Sequence, residues 1–397
     1  MTRVIATAQE RSHALRFIVC LGIVSLLADM TYEGARSSIG PFFRDLGANA
    51  TEVGLVAGLG EMLAASLRFF SGKLADRTRA YWSITILGYL INLIAVPLLA
   101  YAGDWRIAAL LLIAERAGKG LRGPARDVLL SEATGKVGHG WGFGLHAAMD
   151  QTGAVLGPLL MVSAVAQSQQ FGPAFLRLAF PAAGALIAIL TARIIYPRAG
   201  TAAPIRSAKR QPLPGVFWMY VAAAGALAMG FVDFPLLSYH FQNKALIAPA
   251  VIPLLYAGAM GVNGITAMIF GRLFDRYGIA VLAFGILISL LALPLGFLGG
   301  VNTAIAGVVC WGAGLGVQDA SLRSGIAQVV SMDKRGTAFG VFNGVFGIAW
   351  FAGSALMGIL YDHSVIVLVV LGIVLQIGAA VAFFALRKPL SATAGAT

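Results

Sequence analysis

The feature that most constrains this chain is the recurrence, from one end to the other, of apolar runs about 20 residues long, the length a helix needs to cross a bilayer. Such runs fall at 14–40, 50–71, 81–102, 106–124, 140–165 and 172–195, and again at 215–238, 247–270, 279–299, 302–323, 337–360 and 364–386. In hydrocarbon every backbone N–H and C=O must be satisfied within the protein, so runs of this length are expected to be helices. Composition closes off a soluble reading. The chain is 58% hydrophobic and 12% charged over 397 residues, against about 25% charged in soluble chains. The expected fold is an all-α integral membrane protein with twelve transmembrane helices in two pseudo-symmetric six-helix bundles, residues 1–195 and 215–397. A linker at 196–214, too polar and Pro-rich to cross, joins them.

Charge sets the orientation. With the N-terminus inside, the inner segments collect Arg3, Arg11, Arg16, Lys73, Arg77, Arg79, Arg122, Arg126 and Lys136, the linker cations Arg198, Arg206, Lys209 and Arg210, and then Arg272, Arg276, Lys334, Arg335, Arg387 and Lys388. Outer loops hold only Arg44, Arg106, Arg177 and Lys244. The positive-inside rule therefore puts both termini in the cytoplasm, and the net charge of +12 reads as a topology signal, with no nucleic-acid partner expected. Asp29 and Glu33 follow the apolar stretch 15–28 with no small-residue cleavage pattern, so the first helix is expected to stay. Cys20 and Cys310 lie far apart inside apolar runs and suggest neither a disulfide nor a metal site.

The sharper clues are ionisable residues inside the spans, each costing about 2.5–3.5 kcal/mol at a helix centre on insertion scales unless it faces protein or water. Asp29, Tyr32, Glu33 and Arg36 recur at i, i+3, i+4 and i+7, one face of the first helix. Glu61 lies in the second span, Asp150 in the fifth one turn from His146, Asp233 in the seventh and Asp319 in the tenth, where Arg323 follows at i+4 as its expected partner. The fourth span carries Glu115, Lys119, Arg122 and Arg126 on one face and Arg116, Gly120, Gly123 and Asp127 on another. Glu115 and Lys119 are in the favourable order for an i,i+4 ion pair. Gln151, Asn263 and Asn343 are candidates for solute contact or for bonds between helices.

The two halves repeat. Gly72-Lys73-Leu74-Ala75-Asp76-Arg77 is echoed by Gly271-Arg272-Leu273-Phe274-Asp275-Arg276, and Asp29 pairs with Asp233 in the same comparison. Gly72 is expected to end its helix with positive φ, with Asp76 facing the next helix N-terminus and Arg77 a neighbouring helix end, forming a latch.

On these motifs the chain resembles the major facilitator superfamily over nearly its full length. The 72–77 loop is similar to that family's G-x-L-x-D-R signature, and Arg116 to Gly120 to its R-x-x-x-G element, whose buried Arg is linked to proton coupling. Gly144, Gly153, Gly157 and Pro158 resemble the family's antiporter motif, and are read as a hinge or close-packing face. The resemblance implies a monomeric secondary transporter, most readily a proton-coupled exporter of the drug/proton antiporter type. A bacterial inner membrane is expected.

No G-x-x-x-x-G-K-[ST] loop, H-E-x-x-H or paired-cysteine spacing is present. Gly118-Lys119-Gly120-Leu121-Arg122-Gly123 satisfies G-x-G-x-x-G, but no strand precedes it. No enzyme activity and no cofactor are expected, the drive being a proton gradient. Alternating access is expected to run on Asp29, Glu33, Arg36, Glu61, Arg116, Asp150 and Asp233, with Tyr32, Glu115, His146, Gln151, Asn263 and Asn343 lining a cavity. An importer or facilitator of a polar or anionic solute, with Arg36 and Arg116 as counter-ions, is the alternative; a non-transporting sensor or scaffold is a remote third. The topology is checked by thiol labelling in a Cys20→Ala, Cys310→Ala background. Asp104→Cys and Lys244→Cys react with a membrane-impermeant maleimide in intact cells, whereas Lys136→Cys and Lys209→Cys react only after permeabilisation.

Overall fold

The computed structural model describes residues 8–197, 213–330 and 334–394, and they are helical in all their regular elements. In the first half these are α1 (Ala8–Arg36), α2 (Ile39–Asp45), α3 (Ala50–Thr78), α4 (Tyr81–Leu98), α5 (Trp105–Val137), α6 (His139–Ser168), α7 (Phe171–Ala174) and α8 (Ala179–Ile195). The second half follows with α9 (Gly215–Gly230), α10 (Phe234–Asn243), α11 (Ile252–Tyr277), α12 (Ala280–Ser289), α13 (Ala292–Phe297), α14 (Val301–Val329), α15 (Arg335–His363) and α16 (Val365–Ala394). Eleven spans among the described residues are long and apolar enough to cross a membrane. The remaining expected span is α5, which at 33 residues has the length but carries Glu115, Arg116, Lys119 and Arg122 in its apolar half.

Several expected boundaries move. α3 continues through Gly72 to Thr78, and α11 through Gly271 to Tyr277, so neither glycine ends its helix. The turns come at Arg79 (φ 55) and Gly278 (φ 66), each seven residues after its glycine and just past the helix end. Asp76 and Arg77, like Asp275 and Arg276, therefore occupy the last helical turn. α5 runs on to Val137, well past the expected end at 124, so Arg126 is a helix residue on the same face as Arg122. The linker cations Arg198, Arg206, Lys209 and Arg210 lie outside the described residues.

The described chain divides into two compact units, one from Met1–Arg36 and Ser66–Ile205, the other from Ser37–Ala65 and Arg206–Thr397. This differs from a division in simple chain order in one respect: 37–65 packs with the second half. Within that second unit Gly40 lies against the Pro235 carbonyl, Gly54 against that of Ser354, and Gly358 against that of Ala50, approaches that leave no room for a Cβ. The Asp362 carboxylate accepts from Thr51 N (2.8 Å) and Thr51 Oγ1 (2.7 Å) at the start of α3, where unpaired N–H groups need acceptors. The opposite end of the unit is a core of Phe217, Tyr220, Leu227, Leu282, Ile326 and Phe383.

In the first unit small residues set the helix spacing. Gly153 and Gly157, one turn apart on α6, face the carbonyls of Leu26 and Met30, one turn apart on α1. Gly88 on α4 packs on the backbone of Arg122, and Gly118 on α5 packs on that of Asn92. α6 is a continuous helix through Pro158. Gly144, by contrast, has nothing within 4 Å of where a Cβ would sit. Gly157→Ala should therefore force α6 from α1 and lower the thermal midpoint of the purified protein. Gly144→Ala should hold or raise it, by up to about 1 kcal/mol of helix propensity.

Candidate functional site

Two facing ladders of polar side chains run through the first unit. On α1 they are Ser25, Asp29, Tyr32 and Glu33; on α5, Lys119, Arg122 and Arg126, spaced by three and four so that all share one face. Asp29 is 7% exposed, Glu33 8% and Arg122 2%. Glu33 Oε1 pairs with Lys119 Nζ at 3.5 Å, and the same ammonium lies 3.9 Å from the centre of the Tyr32 ring. Tyr32 donates its hydroxyl to Asp29 Oδ1 at 2.6 Å. The Arg122 guanidinium sits 4.2 Å from the Tyr89 ring and 5.6 Å from that of Tyr32. Tyr89 reaches it because the neighbouring Gly88 lets α4 approach the α5 backbone. A desolvated cation over aromatic faces gains about 2 kcal/mol or more.

Ser25 joins the α1 ladder at its N-terminal end. Its hydroxyl is 3.2 Å from Arg126 Nη1, 3.4 Å from Tyr89 Oη and 3.3 Å from His146 Nε2. His146 in turn faces Asp150 Oδ1 at 3.8 Å. Arg126 also pairs with its neighbour Asp127 at 2.9 Å. The arrangement gathers Asp29, Tyr32, Glu33, His146 and Asp150 from the sequence-derived set into one network.

Other sequence-derived residues have partners of their own. The Glu115 carboxylate lies 3.2 Å from Arg116 Nε and accepts from Asn92 Nδ2 at 2.7 Å, in a buried group at 5% and 4% side-chain exposure. Glu33 on α1 offers Lys119 a partner across the helix pair, and α4 presents Asn92 to Glu115. Asp319 accepts from Asn263 Nδ2 at 3.1 Å. Glu61, Arg36, Gln151 and Asn343 are half-buried on α3, α1, α6 and α15. The 72–77 and 271–276 motifs sit at the exposed ends of α3 and α11, where Tyr81 donates to Asp76 at 3.1 Å and Arg276 lies over Tyr277.

Asp233 differs from Asp29 in its local setting. Asp29 lies two turns inside the continuous α1, whereas Asp233 stands in a break between α9 and α10. Such a break is tolerated in hydrocarbon only if other groups take up the freed backbone. Gln376 Nε2 donates to the Gly230 carbonyl at 2.8 Å and Trp311 Nε1 to that of Val232 at 2.8 Å. The Asp233 carboxylate accepts from Trp350 Nε1 at 3.0 Å and, in a short bond, from Ser354 Oγ, one turn further along α15. Sequence reasoning missed Trp350, Ser354 and Ser25, since serine and tryptophan in apolar runs carry no distinctive signal.

Long apolar helices, a broken span with buried polar support and an internal charge ladder define the class: a multi-pass membrane transporter. The Major Facilitator Superfamily profile matches residues 21–354, and the chain belongs to that family. A protein of Mycobacterium tuberculosis described only as uncharacterised is 42% identical, covering 98% of this chain and 97% of its own length. An MFS-type transporter of Methanocaldococcus jannaschii is 26% identical, covering 87% and 89%. Among solved structures, the nucleoside transporter NupG superposes with a TM-score of 0.74 at 14% identity (93% and 99% covered). A peptide transporter, POT, superposes with 0.75 at 15% (94% of each chain). These two likenesses show the shared fold.

Removing Asp233 leaves buried donors on Trp350 and Ser354 without an acceptor, at about 1–3 kcal/mol each. Asp233→Ala should therefore lower the thermal midpoint more than Ser354→Ala, measured on the detergent-purified protein by intrinsic fluorescence during heating.

Proposed function

We propose that the protein is a proton-coupled secondary transporter of a small organic solute, working by alternating access in a bacterial inner membrane, with Glu33 as the coupling carboxylate. The observation that carries this reading is the Glu33–Lys119 pair: an acid on α1 held by a cation on α5, both largely withdrawn from water. A neighbouring cation favours the ionised carboxylate, and separating the two favours its protonation. Motion of α1 against α5, or a solute that engages Lys119, thereby moves a proton. Asp29 stands one turn away, tied to Tyr32, and shares the same route.

The Gly153 and Gly157 contacts support export in exchange for protons, as the antiporter-like spacing suggests, because they fasten α6 to α1 directly behind Asp29. A second reading, in which solute and proton travel together, is favoured by Arg122, which stands in the same ladder with its Nε buried and no carboxylate partner among the described residues. The two readings differ in sign: solute and proton compete in the first and bind together in the second.

In membrane vesicles carrying an imposed pH gradient, Glu33→Gln should reduce gradient-driven solute movement at least tenfold while leaving solute exchange without a gradient intact. Asp29→Asn should reduce it as well. Wild-type gradient-driven rates in Glu33→Gln and Asp29→Asn would remove the basis for this assignment.

A further inference from the structure

The charges in the ladders divide into two kinds. Glu33 with Lys119, Glu115 with Arg116 and Arg126 with Asp127 are ion pairs at 3.5, 3.2 and 2.9 Å. Three other charges are not paired with a Lys or Arg, or with a carboxylate, among the described residues. Arg122 is 2% exposed and makes no hydrogen bond or ion pair there, its Nε buried without an acceptor. Asp29 has only the Tyr32 hydroxyl, and Asp150 only the imidazole of His146 at 3.8 Å, with its own Oδ1 buried and lacking a hydrogen bond.

A buried charge left unpaired is costly, and proteins retain one where a ligand completes it. One phenol touches both charges: Tyr32 gives its hydroxyl to Asp29, and its ring lies 5.6 Å from the guanidinium of Arg122. Tyr89 stacks on Arg122 at 4.2 Å. Lys119 and Arg126, one turn to each side, keep 20% and 18% side-chain exposure, so the stripe is reached from open space.

We infer that the first unit binds a small zwitterion, a molecule with a carboxylate or phosphate for Arg122 and an ammonium for Asp29 and Asp150. A planar anion engages the guanidinium fork through two bonds, and the ammonium has three donors for the two acids. A purely cationic solute would leave Arg122 uncompensated, and a purely anionic one would leave the two acids so. The inference deepens the transport reading by naming the solute class, and assigns binding to residues other than the Glu33–Lys119 pair.

The test uses the full chain in phosphatidylcholine nanodiscs at fixed pH. Thermal midpoint and equilibrium binding are followed with the twenty amino acids, glycylglycine and phosphoethanolamine, and with the half-ligands propionate and ethylammonium. At least one zwitterion should stabilise the wild type, neither half-ligand should do so at the same concentration, and Arg122→Gln and Asp150→Asn should each weaken that binding tenfold or more. Arg122→Lys, which keeps the charge, should recover part of it and controls for folding. Zwitterion binding is read at fixed pH with no gradient, whereas the coupling assignment is read only from gradient-driven movement, which separates failure of this inference from failure of the coupling assignment. Binding of ethylammonium as tight as that of any zwitterion, unchanged zwitterion affinity in Arg122→Gln, or no stabilisation by any zwitterion would overturn it.

Discussion

Everything specific about this protein depends on burying charge inside apolar helices and then holding those charges in register. Hydrophobic helices embed in a membrane without any of the ionisable groups on α1 and α5. Each such group carries an insertion cost, and that cost is offset only where a partner stands at the right depth on a neighbouring helix. The Glu33–Lys119 pair and the Tyr32–Asp29 bond depend on α1 and α5 lying close at a fixed rotation. That closeness is set by residues with no chemistry of their own: Gly153 and Gly157 fix α6 on α1, while Gly88 and Gly118 fix α4 on α5. The packing and the chemistry are one construction, because the absence of a side chain at four positions is what places charged side chains at five others.

The second unit meets the same demand differently. There the helix itself is interrupted, between Gly230 and Phe234, and side chains from α14, α15 and α16 take up the freed backbone and the Asp233 carboxylate. The Asp233 side chain, held by an indole and a hydroxyl, supports a bend. The ladders of the first unit hold charges of which some are paired and others not, among the described residues. The two halves share sequence motifs and differ in their polar interiors.

Much of this was legible in the sequence. Span positions followed from hydropathy, and the α1 stripe from a helical period applied to Asp29, Tyr32, Glu33 and Arg36. The common face of Lys119, Arg122 and Arg126 came from the same rule. Helix ends were less legible, since Gly72 and Gly271 look like stops but lie inside α3 and α11, where tertiary packing outweighs the local preference for a turn. Charge partners were least legible. Spacing points to Glu115 with Lys119 along one helix, whereas Asn92 and Glu33 come from neighbouring helices, and a sequence does not state which helices touch.

The central claim is that solute binding shifts the proton held at Glu33. Its most direct measurement is the number of protons exchanged when a saturating, transported solute is added to the purified protein in weakly buffered solution, followed with a pH indicator. A change of about one proton per molecule in the wild type, lost in Glu33→Gln, is the expected result. Saturating solute binding with no proton exchanged at any pH across the titration range would contradict it.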